Sequence, residues 1–260
     1  MKYWYQKPPQ LLSEYIRTVL ILEGSSESDA SNLPLFTNGM PALFFRTEKD
    51  QTENETITQL TLFGTSTPQA CWEIKANTTI IAYFFKPFAL ASLFNIPAAT
   101  LAKKPIDLCN WNAHKMNALR TQLIYAKSTN HKTAILDNLL IHQLQQHKRE
   151  CEIIKYATDQ IMCNPGTEIL AETLENINLT IRTFQRIFKK YVGVTPSQYR
   201  RICQFQFSFA QLRAKQFNKL TDVAYDNGFA DQSHFIRSFR EFTQITPQDY
   251  LRSGLNGKKK

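Results

Sequence analysis

The sequence is poor in the residues that build metal and catalytic sites. Only five histidines occur in 260 residues, and none precedes His114. The four histidines between residues 114 and 147 lack the i, i+4 spacing that would bring two imidazoles to one ion on a helix. We therefore expect no metal, no cofactor and no catalytic residue in this chain.

Glycine and cysteine are scarce as well. The eight glycines form neither a phosphate-binding loop nor a nucleophile elbow. The five cysteines are odd in number and widely spaced, with no CxxC pair, which argues against a disulfide framework or a structural zinc site. We expect buried free thiols at all five positions, which are Cys71, Cys109, Cys151, Cys163 and Cys203.

Long hydrophobic runs are absent too. The chain has no apolar run of 18 or more residues, and residues 1–10 lack the apolar centre of a signal peptide. Its length and its 43% hydrophobic content suit two modest domains, each able to bury a core. We expect a cytoplasmic protein without a membrane partner.

What the chain does contain is an internal repeat. Residues 180–199, TIRTFQRIFKKYVGVTPSQY, recur 51 residues later as residues 231–250, DQSHFIRSFREFTQITPQDY. The matched residues are Phe184, Arg186, Phe188, Thr195, Pro196 and Tyr199 in the first copy, and Phe235, Arg237, Phe239, Thr246, Pro247 and Tyr250 in the second. Repetition at a fixed offset indicates one structural unit used twice.

Each copy has the pattern of an amphipathic helix with a polar outer face. At about 100° per residue, one side of the first copy is apolar and the opposite side is basic or polar. The apolar side consists of Phe184, Ile187, Phe188 and Tyr191, and the opposite side of Arg182, Gln185, Arg186 and Lys189. Thr180 and Asp231 are suitable N-caps, and Gly193 suits a left-handed C-terminal turn.

A short amphipathic segment and a tight turn precede each copy. These segments are residues 167–175, followed by NINL, and residues 221–226, followed by Asn227-Gly228. A helix, a turn and a second helix with a basic face make up the helix-turn-helix pattern, whose second helix lies in the DNA major groove. One basic helix alone is more often a solvated surface, but two at a fixed offset favour DNA binding.

Residues 153–252 resemble the DNA-binding domain of the AraC/XylS family of bacterial transcription regulators. The resemblance rests on RTFQRIFKKYVGVTPSQYRR in the first unit and on DVAYDNGFADQSHFIRSFREFTQITPQDY in the second. The run GFxDQSHFxRxF is its most specific part. Gln244 departs from the pattern, since many members of the family have glycine there.

The resemblance implies which side chains contact DNA bases. They are Arg182, Gln185 and Arg186 in the first recognition helix, and Gln232, Ser233 and Arg237 in the second. Arginine pairs with guanine O6 and N7, and glutamine with adenine. We assign phosphate contacts to Thr180, Lys189, Lys190 and Arg240, because cations and hydroxyls at such positions fix the register on the duplex.

The positive charge is concentrated in the same part of the chain. Residues 151–260 carry 16 Lys and Arg against 10 Asp and Glu, whereas residues 1–150 carry 15 against 12. Basic charge displaces counterions from DNA and supplies affinity without sequence preference. We expect binding that weakens steeply with salt.

The N-terminal half is predicted to be β-rich, as a small antiparallel sheet or barrel. The predicted elements are a short helix at residues 11–16 and strands at 19–22, 42–46, 57–63, 71–74 and 79–85. The resemblance implies a cupin-like sensing domain. Its aromatic residues Trp4, Tyr5, Trp72, Tyr83, Phe84 and Phe85 could line a ligand pocket, but core packing explains them more simply.

Helices are predicted after Pro87, at residues 88–94, 112–126 and 133–148. The last one has an apolar stripe consisting of Ile135, Leu136, Leu139, Leu140 and Leu144. This stripe packs on the sheet or pairs with a second subunit, and the sequence leaves both open. A further helix at residues 197–212 would connect the two repeat units.

The sequence thus predicts an α+β protein in two domains. Residues 1–150 form a β-rich sensing or dimerisation domain with trailing helices, and residues 151–260 form an all-α DNA-binding domain of two helix-turn-helix units joined by a linker helix. The expected function is transcription regulation, as an activator that binds double-stranded DNA and contacts RNA polymerase. An effector in the N-terminal domain and a homodimer remain open, and so do two alternatives, a constitutive DNA-binding protein and an enzyme localised to DNA.

Overall fold

A computed structural model describes residues 2–24, 31–35, 40–50, 52, 54–65, 70–74, 76–101, 104–108, 113–147, 152–166 and 168–252. The chain forms two compact units, and the main boundary between them falls between Cys151 and Glu152.

The described residues of the N-terminal unit form eight strands. They are β1 (Lys2–Gln6), β2 (Ile16–Glu23), β3 (Ser31–Leu35), β4 (Ala42–Lys49), β5 (Glu55–Phe63), β6 (Ala70–Ile74), β7 (Thr78–Phe85) and β8 (Ile106–Asp107). Six of them make one antiparallel sheet in the order β1-β2-β7-β4-β5-β8, and β3 pairs with β6 in a second sheet.

The centre of the larger sheet is buried on both faces. Strand β7 pairs with both β2 and β4, and the side chains of its residues 80–85, which alternate between the two faces, are all buried. A strand buried on both faces is a continuous apolar run rather than an alternating one. Residues 80–85 have this apolar pattern, and the strand predicted at residues 79–85 lies inside the sheet rather than at its edge.

Among the described residues of this unit, the helices α1 (Ala89–Phe94) and α2 (Ala98–Leu101) lie between β7 and β8, and α3 (Ala113–Tyr125) and α4 (Thr129–His147) follow β8. The Tyr83 hydroxyl lies 2.8 Å from Oδ1 of Asp137 and 3.2 Å from the carbonyl oxygen of Thr133, which ties α4 to β7. Leu136 and Leu140 are fully buried. Two residues of the α4 stripe are therefore buried, while packing of the whole stripe on the sheet and its pairing with a second subunit both stay predictions.

Seven helices are found within the described residues after 151: α5 (Glu152–Cys163), α6 (Ile169–Ile177), α7 (Ile181–Val192), α8 (Pro196–Ala214), α9 (Leu220–Asp226), α10 (Gln232–Thr243) and α11 (Pro247–Arg252). With the β-rich unit before them, they give the α+β organisation that the sequence predicted. The connecting helix α8 is longer at both ends than predicted.

The predicted helix at residues 11–16 is wrong. Residues Gln10–Leu12 form a single 3-10 turn, and Ile16 begins β2, where it pairs with Phe85. A helical turn fixes several dihedral angles for one hydrogen bond, so a short segment is ordered more easily by an existing strand than by a helix of its own. The strands β1, β3 and β8 were also missed.

The predicted burial of the thiols holds at only one of the described positions. Cys203 is buried, but Cys163 is exposed at the end of α5, and neither thiol is joined in a disulfide. Cys109, Cys151 and the side chain of Cys71 lie outside the described residues.

The predicted core packing of the aromatic residues is confirmed for Tyr83, Phe84 and Phe85, which are buried. Tyr5, in contrast, is 54% exposed on β1. Trp4 is half-buried, and the Trp72 side chain lies outside the described residues.

Candidate nucleic-acid interface

The first helix-turn-helix unit consists of α6 and α7. The turn between them passes through Asn178, whose φ of 52° is left-handed. Asparagine tolerates this conformation better than most residues. Thr180 caps α7, since its hydroxyl oxygen accepts a hydrogen bond of 3.3 Å from the amide of Thr183.

The second unit consists of α9 and α10. Its turn uses Gly228, with a φ of 71°. Glycine adopts positive φ without steric cost. Asp231 caps α10 by accepting a hydrogen bond of 2.7 Å from the amide of His234 to its Oδ1. The two N-caps predicted from sequence, Thr180 and Asp231, are therefore confirmed.

The structural offset between the two units equals the sequence offset. The helices α6, α7 and α8 begin at residues 169, 181 and 196, and α9, α10 and α11 begin at 220, 232 and 247. Each of these starts is repeated 51 residues later, and α7 and α10 both have 12 residues. The internal repeat is one three-dimensional unit used twice.

The helix that follows each recognition helix also begins with the same type of cap. Thr195 and Gln198 form a capping box at the start of α8. At the start of α11, Thr246 and Asp249 exchange equivalent bonds: the amide of Asp249 donates to Thr246 Oγ1 at 3.1 Å, and that hydroxyl donates to the Asp249 carboxylate at 2.5 Å. The bond from the Thr246 hydroxyl lowers the pKa of Asp249.

Aromatic pairs fill the inner side of each unit. In the first, the ring of Phe188 lies 5.4 Å from that of Phe184 and 5.7 Å from that of Tyr199. In the second, Phe239 lies 5.9 Å from Phe235 and 6.0 Å from Tyr250. The buried inner side of each recognition helix fixes which residues remain on its outer side.

The outer sides carry the residues predicted to contact DNA. Nine of the ten are exposed: Thr180, Arg182, Gln185, Arg186, Lys189, Lys190, Ser233, Arg237 and Arg240. Gln232, in the first turn of α10, is half-buried. The fold thus collects five of the candidates along α7 behind its cap Thr180, and four along α10.

The two copies also end their second helix in the same way. Gly193 has a φ of 89° and Gln244, 51 residues later, has a φ of 63°. The amide of Gln244 donates to the carbonyl oxygen of Arg240 at 2.8 Å. The departure from glycine at position 244 therefore leaves the left-handed turn intact, at a steric cost that glycine would not incur.

The linker helix α8 connects the two copies through a buried face. The four residues predicted to form this face, Tyr199, Ile202, Phe205 and Phe209, are all buried. The ring of Phe205 stacks on Phe242 of α10 at 4.6 Å, and the Arg201 guanidinium pairs with the carboxylate of Glu241. α10 is thereby held directly against the linker.

A polar joint, which the sequence did not reveal, adds to this packing. Gln204 of α8 donates from Nε2 to the carbonyl oxygen of Gly228 at 2.6 Å, and Arg200 donates to that of Pro165 at 3.3 Å. A Cβ on Gly228 would lie 3.4 Å from Cα of Gly166. The segment before the first unit and the turn of the second unit thus meet on α8.

Two features are absent from the described part of the chain. Among its residues, no three His, Cys, Asp or Glu side chains come together as a metal-ion site. No helix within the same described ranges is both long and apolar enough to cross a membrane.

Comparison with protein families gives two matches. Residues 174–253 match the family described as a helix-turn-helix domain. Residues 6–107 match a family described as a domain of unknown function. The single helix-turn-helix match thus includes both α7 and α10.

Comparison with known proteins points the same way. The chain is 35% identical over 83 residues to the HTH-type transcriptional activator RhaS of Escherichia coli O139:H28, covering 32% of this chain and 29% of RhaS. It is 24% identical over 164 residues to an uncharacterized HTH-type transcriptional regulator of Haemophilus influenzae, covering 57% of this chain and 55% of the relative. The chain thus matches less than two thirds of either relative's length.

Among solved structures, ToxT from Vibrio cholerae O395 is similar with a TM-score of 0.45 at 12% identity, covering 99% of both chains. The resemblance of the C-terminal unit to the AraC/XylS regulators is confirmed by the family match and the RhaS relatives.

Proposed function

We propose that the chain is a sequence-specific DNA-binding transcription regulator, and that α7 and α10 are its recognition helices. The observation that carries the proposal is the structural repeat. Two capped helices of equal length expose an arginine at the same position, Arg186 in one and Arg237 in the other. A surface that only contacts water does not require the same exposed arginine in both copies. Binding to two successive major-groove segments does require it.

The proposed base contacts follow from the chemistry of the exposed side chains. Arg182, Arg186 and Arg237 have paired donors that match guanine O6 and N7, and Gln185 and Gln232 match adenine N6 and N7. Ser233 is short and pairs with either kind of base edge. The proposed phosphate contacts are Thr180, Lys189, Lys190 and Arg240, which lie at the cap or further along the recognition helices.

The linker supports binding of both helices to one side of the duplex. The 19 residues of α8 span about 28 Å at about 1.5 Å per residue. Successive major-groove segments on one side are about 34 Å apart. A joint held by Gln204 and Phe205 resists changes in this spacing, so we expect the DNA to bend if a straight duplex does not match it.

For the N-terminal unit, we propose that an effector binds in a polar cleft of about 590 Å³. That volume is typical of small-molecule sites. Lys132 and Glu55 form a buried ion pair in its wall, and the Thr129 hydroxyl donates to Glu23 at 2.5 Å. These charged groups suit a polar ligand. Constitutive DNA binding with a purely structural N-terminal unit is the alternative.

Three further features belong to the same proposal. The regulator acts as an activator through RNA polymerase, it works in the cytoplasm where its DNA target lies, and it has no enzymatic activity of its own.

Self-association is proposed through the part of α4 that stays half-buried, which includes Leu139 and Leu144. Sedimentation of the full chain measures that association.

The experiment that tests the main proposal is in vitro selection of random duplex DNA by the full chain. We expect a recovered site with two conserved segments about one helical turn apart. Recovery of no preferred sequence would reject the proposal.

The effector site is tested by measuring the melting temperature of the full chain with a panel of polar small molecules. A shift in the melting temperature would support an effector. Loss of that shift in Lys49→Ala, which alters the cleft wall, would place the effector in the cleft.

A further inference from the structure

An isoleucine stands exposed at the start of the first recognition helix. Ile181 is the first residue of α7, directly after the cap Thr180, and 61% of its surface is accessible. Phe184 and Phe188 form the buried side of the helix, and Ile181 lies on that side but at the first position of the helix, where it remains exposed. The N-terminal residues of a recognition helix are the ones that contact base edges. Ile181 therefore lies where a base contact is expected, although it has no polar group.

The structural repeat gives this position a counterpart. At the offset of 51 residues, Ile181 corresponds to Gln232 and Gln185 corresponds to Ile236, while Arg186 corresponds to Arg237. Each recognition helix thus has one isoleucine, one glutamine and one arginine at these three positions. Between the copies, the isoleucine and the glutamine have exchanged places.

The major groove offers an isoleucine one apolar partner. Every base edge there presents hydrogen-bond donors or acceptors, and only thymine adds a methyl group, at C5. We propose that Ile181 contacts a thymine methyl group and is a specificity-determining residue of the first unit. The first DNA segment then has thymine at the position where the second has the adenine that pairs with Gln232. This inference rests on the proposed DNA-binding function.

The test removes the two contacting groups separately. The duplex recovered by selection is prepared with each thymine of the first segment replaced in turn by deoxyuridine, which lacks only the methyl group. At one position we expect the wild-type chain to lose affinity by about threefold to tenfold. Ile181→Ala should lose a similar factor on the original duplex and nothing further on the deoxyuridine duplex.

The control is a second exposed apolar residue on the same C-terminal unit. Tyr225 of α9 is 64% exposed and lies outside both recognition helices. Tyr225→Ala should bind the original duplex normally and remain sensitive to the missing methyl group. Both variants remove exposed side chains, so their melting temperatures should stay close to that of the wild type.

Three results would overturn the inference: a first segment without thymine, no effect of any deoxyuridine on the wild type, or equal methyl sensitivity in the wild type and Ile181→Ala. In each case the wild type still selects and binds a DNA sequence, so the proposed function stands. A wild-type chain that selects no sequence fails both proposals together.

Discussion

Gln204 of the linker helix donates from Nε2 to the carbonyl oxygen of Gly228 in the turn of the second unit, at 2.6 Å. Gln204 is fully buried, so no water replaces that bond at low cost. The joint links α8 to the residue that sets the direction of α10. The spacing of the two recognition helices therefore depends on side-chain packing as well as on the length of α8.

Loss of this joint should destabilise the C-terminal unit. We expect Gln204→Ala to lower the free energy of unfolding by about 1–3 kcal/mol, because it removes a fully buried side chain and the donor to the half-buried carbonyl of Gly228. Urea denaturation followed by circular dichroism measures the change. Gln206→Ala, two residues along the same helix and less buried, should stay within about 0.5 kcal/mol of the wild type. Equal losses in the two variants would contradict the role of Gln204.

Replacing Gln244 by glycine should stabilise the protein. Its φ of 63° is a left-handed conformation that costs a residue with a side chain about 1–2 kcal/mol. Glycine removes that cost but adds entropy to the unfolded chain, so we expect a net gain of about 0.5–1 kcal/mol. Thermal unfolding of the variant and the wild type measures this difference in stability. Gln248→Gly places glycine inside the helix α11 and should destabilise instead.

Asp137 should make the stability of the N-terminal unit depend on pH. Burial raises the pKa of this carboxyl above its ordinary value, because desolvation disfavours the carboxylate. A group with a raised folded-state pKa stabilises fully below its unfolded pKa, and that stabilisation is lost as the pH rises through the folded pKa.

We therefore expect Asp137→Asn to gain stability relative to the wild type as the pH rises from about 4 to 7. The amide oxygen introduced by this substitution can still accept the Tyr83 hydroxyl bond, so the change isolates the charge. Denaturation at a series of pH values measures the difference, and Asp159→Asn controls for the altered net charge. A difference between variant and wild type that is independent of pH would refute the assignment.

Two substitutions on α7 should separate base contacts from phosphate contacts. Arg186→Ala should cost about 1–3 kcal/mol of binding free energy on the selected site and relax selectivity at one base pair. Lys189→Ala should weaken binding to all sequences alike and reduce the slope of log K against log salt by about 1. Titrations at several salt concentrations distinguish the two. The same effect from both variants would mean that Arg186 contacts only the backbone.

Much of the C-terminal unit was predictable, because local signals agree with the fold there. Pro196 and Pro247 mark helix starts, Thr180 and Asp231 supply caps, and the spacing of the phenylalanines gives the buried side. The N-terminal unit was less predictable at its edges. Strands β1 and β3 have weak local patterns and are ordered by their partners β2 and β6, which a periodicity argument does not detect.

The sequence by itself determined the repeat, the caps and the basic outer faces, because these depend on residues a few positions apart along one helix. Only the tertiary structure decided how the copies are joined, since Gln204, Gly228 and Pro165 are far apart in the chain and meet through packing on α8. It also decided which side chains stay exposed. Ile181 is apolar and, at about 100° per residue, lies on the same side of α7 as Phe188, yet it stays exposed at the first position of the helix.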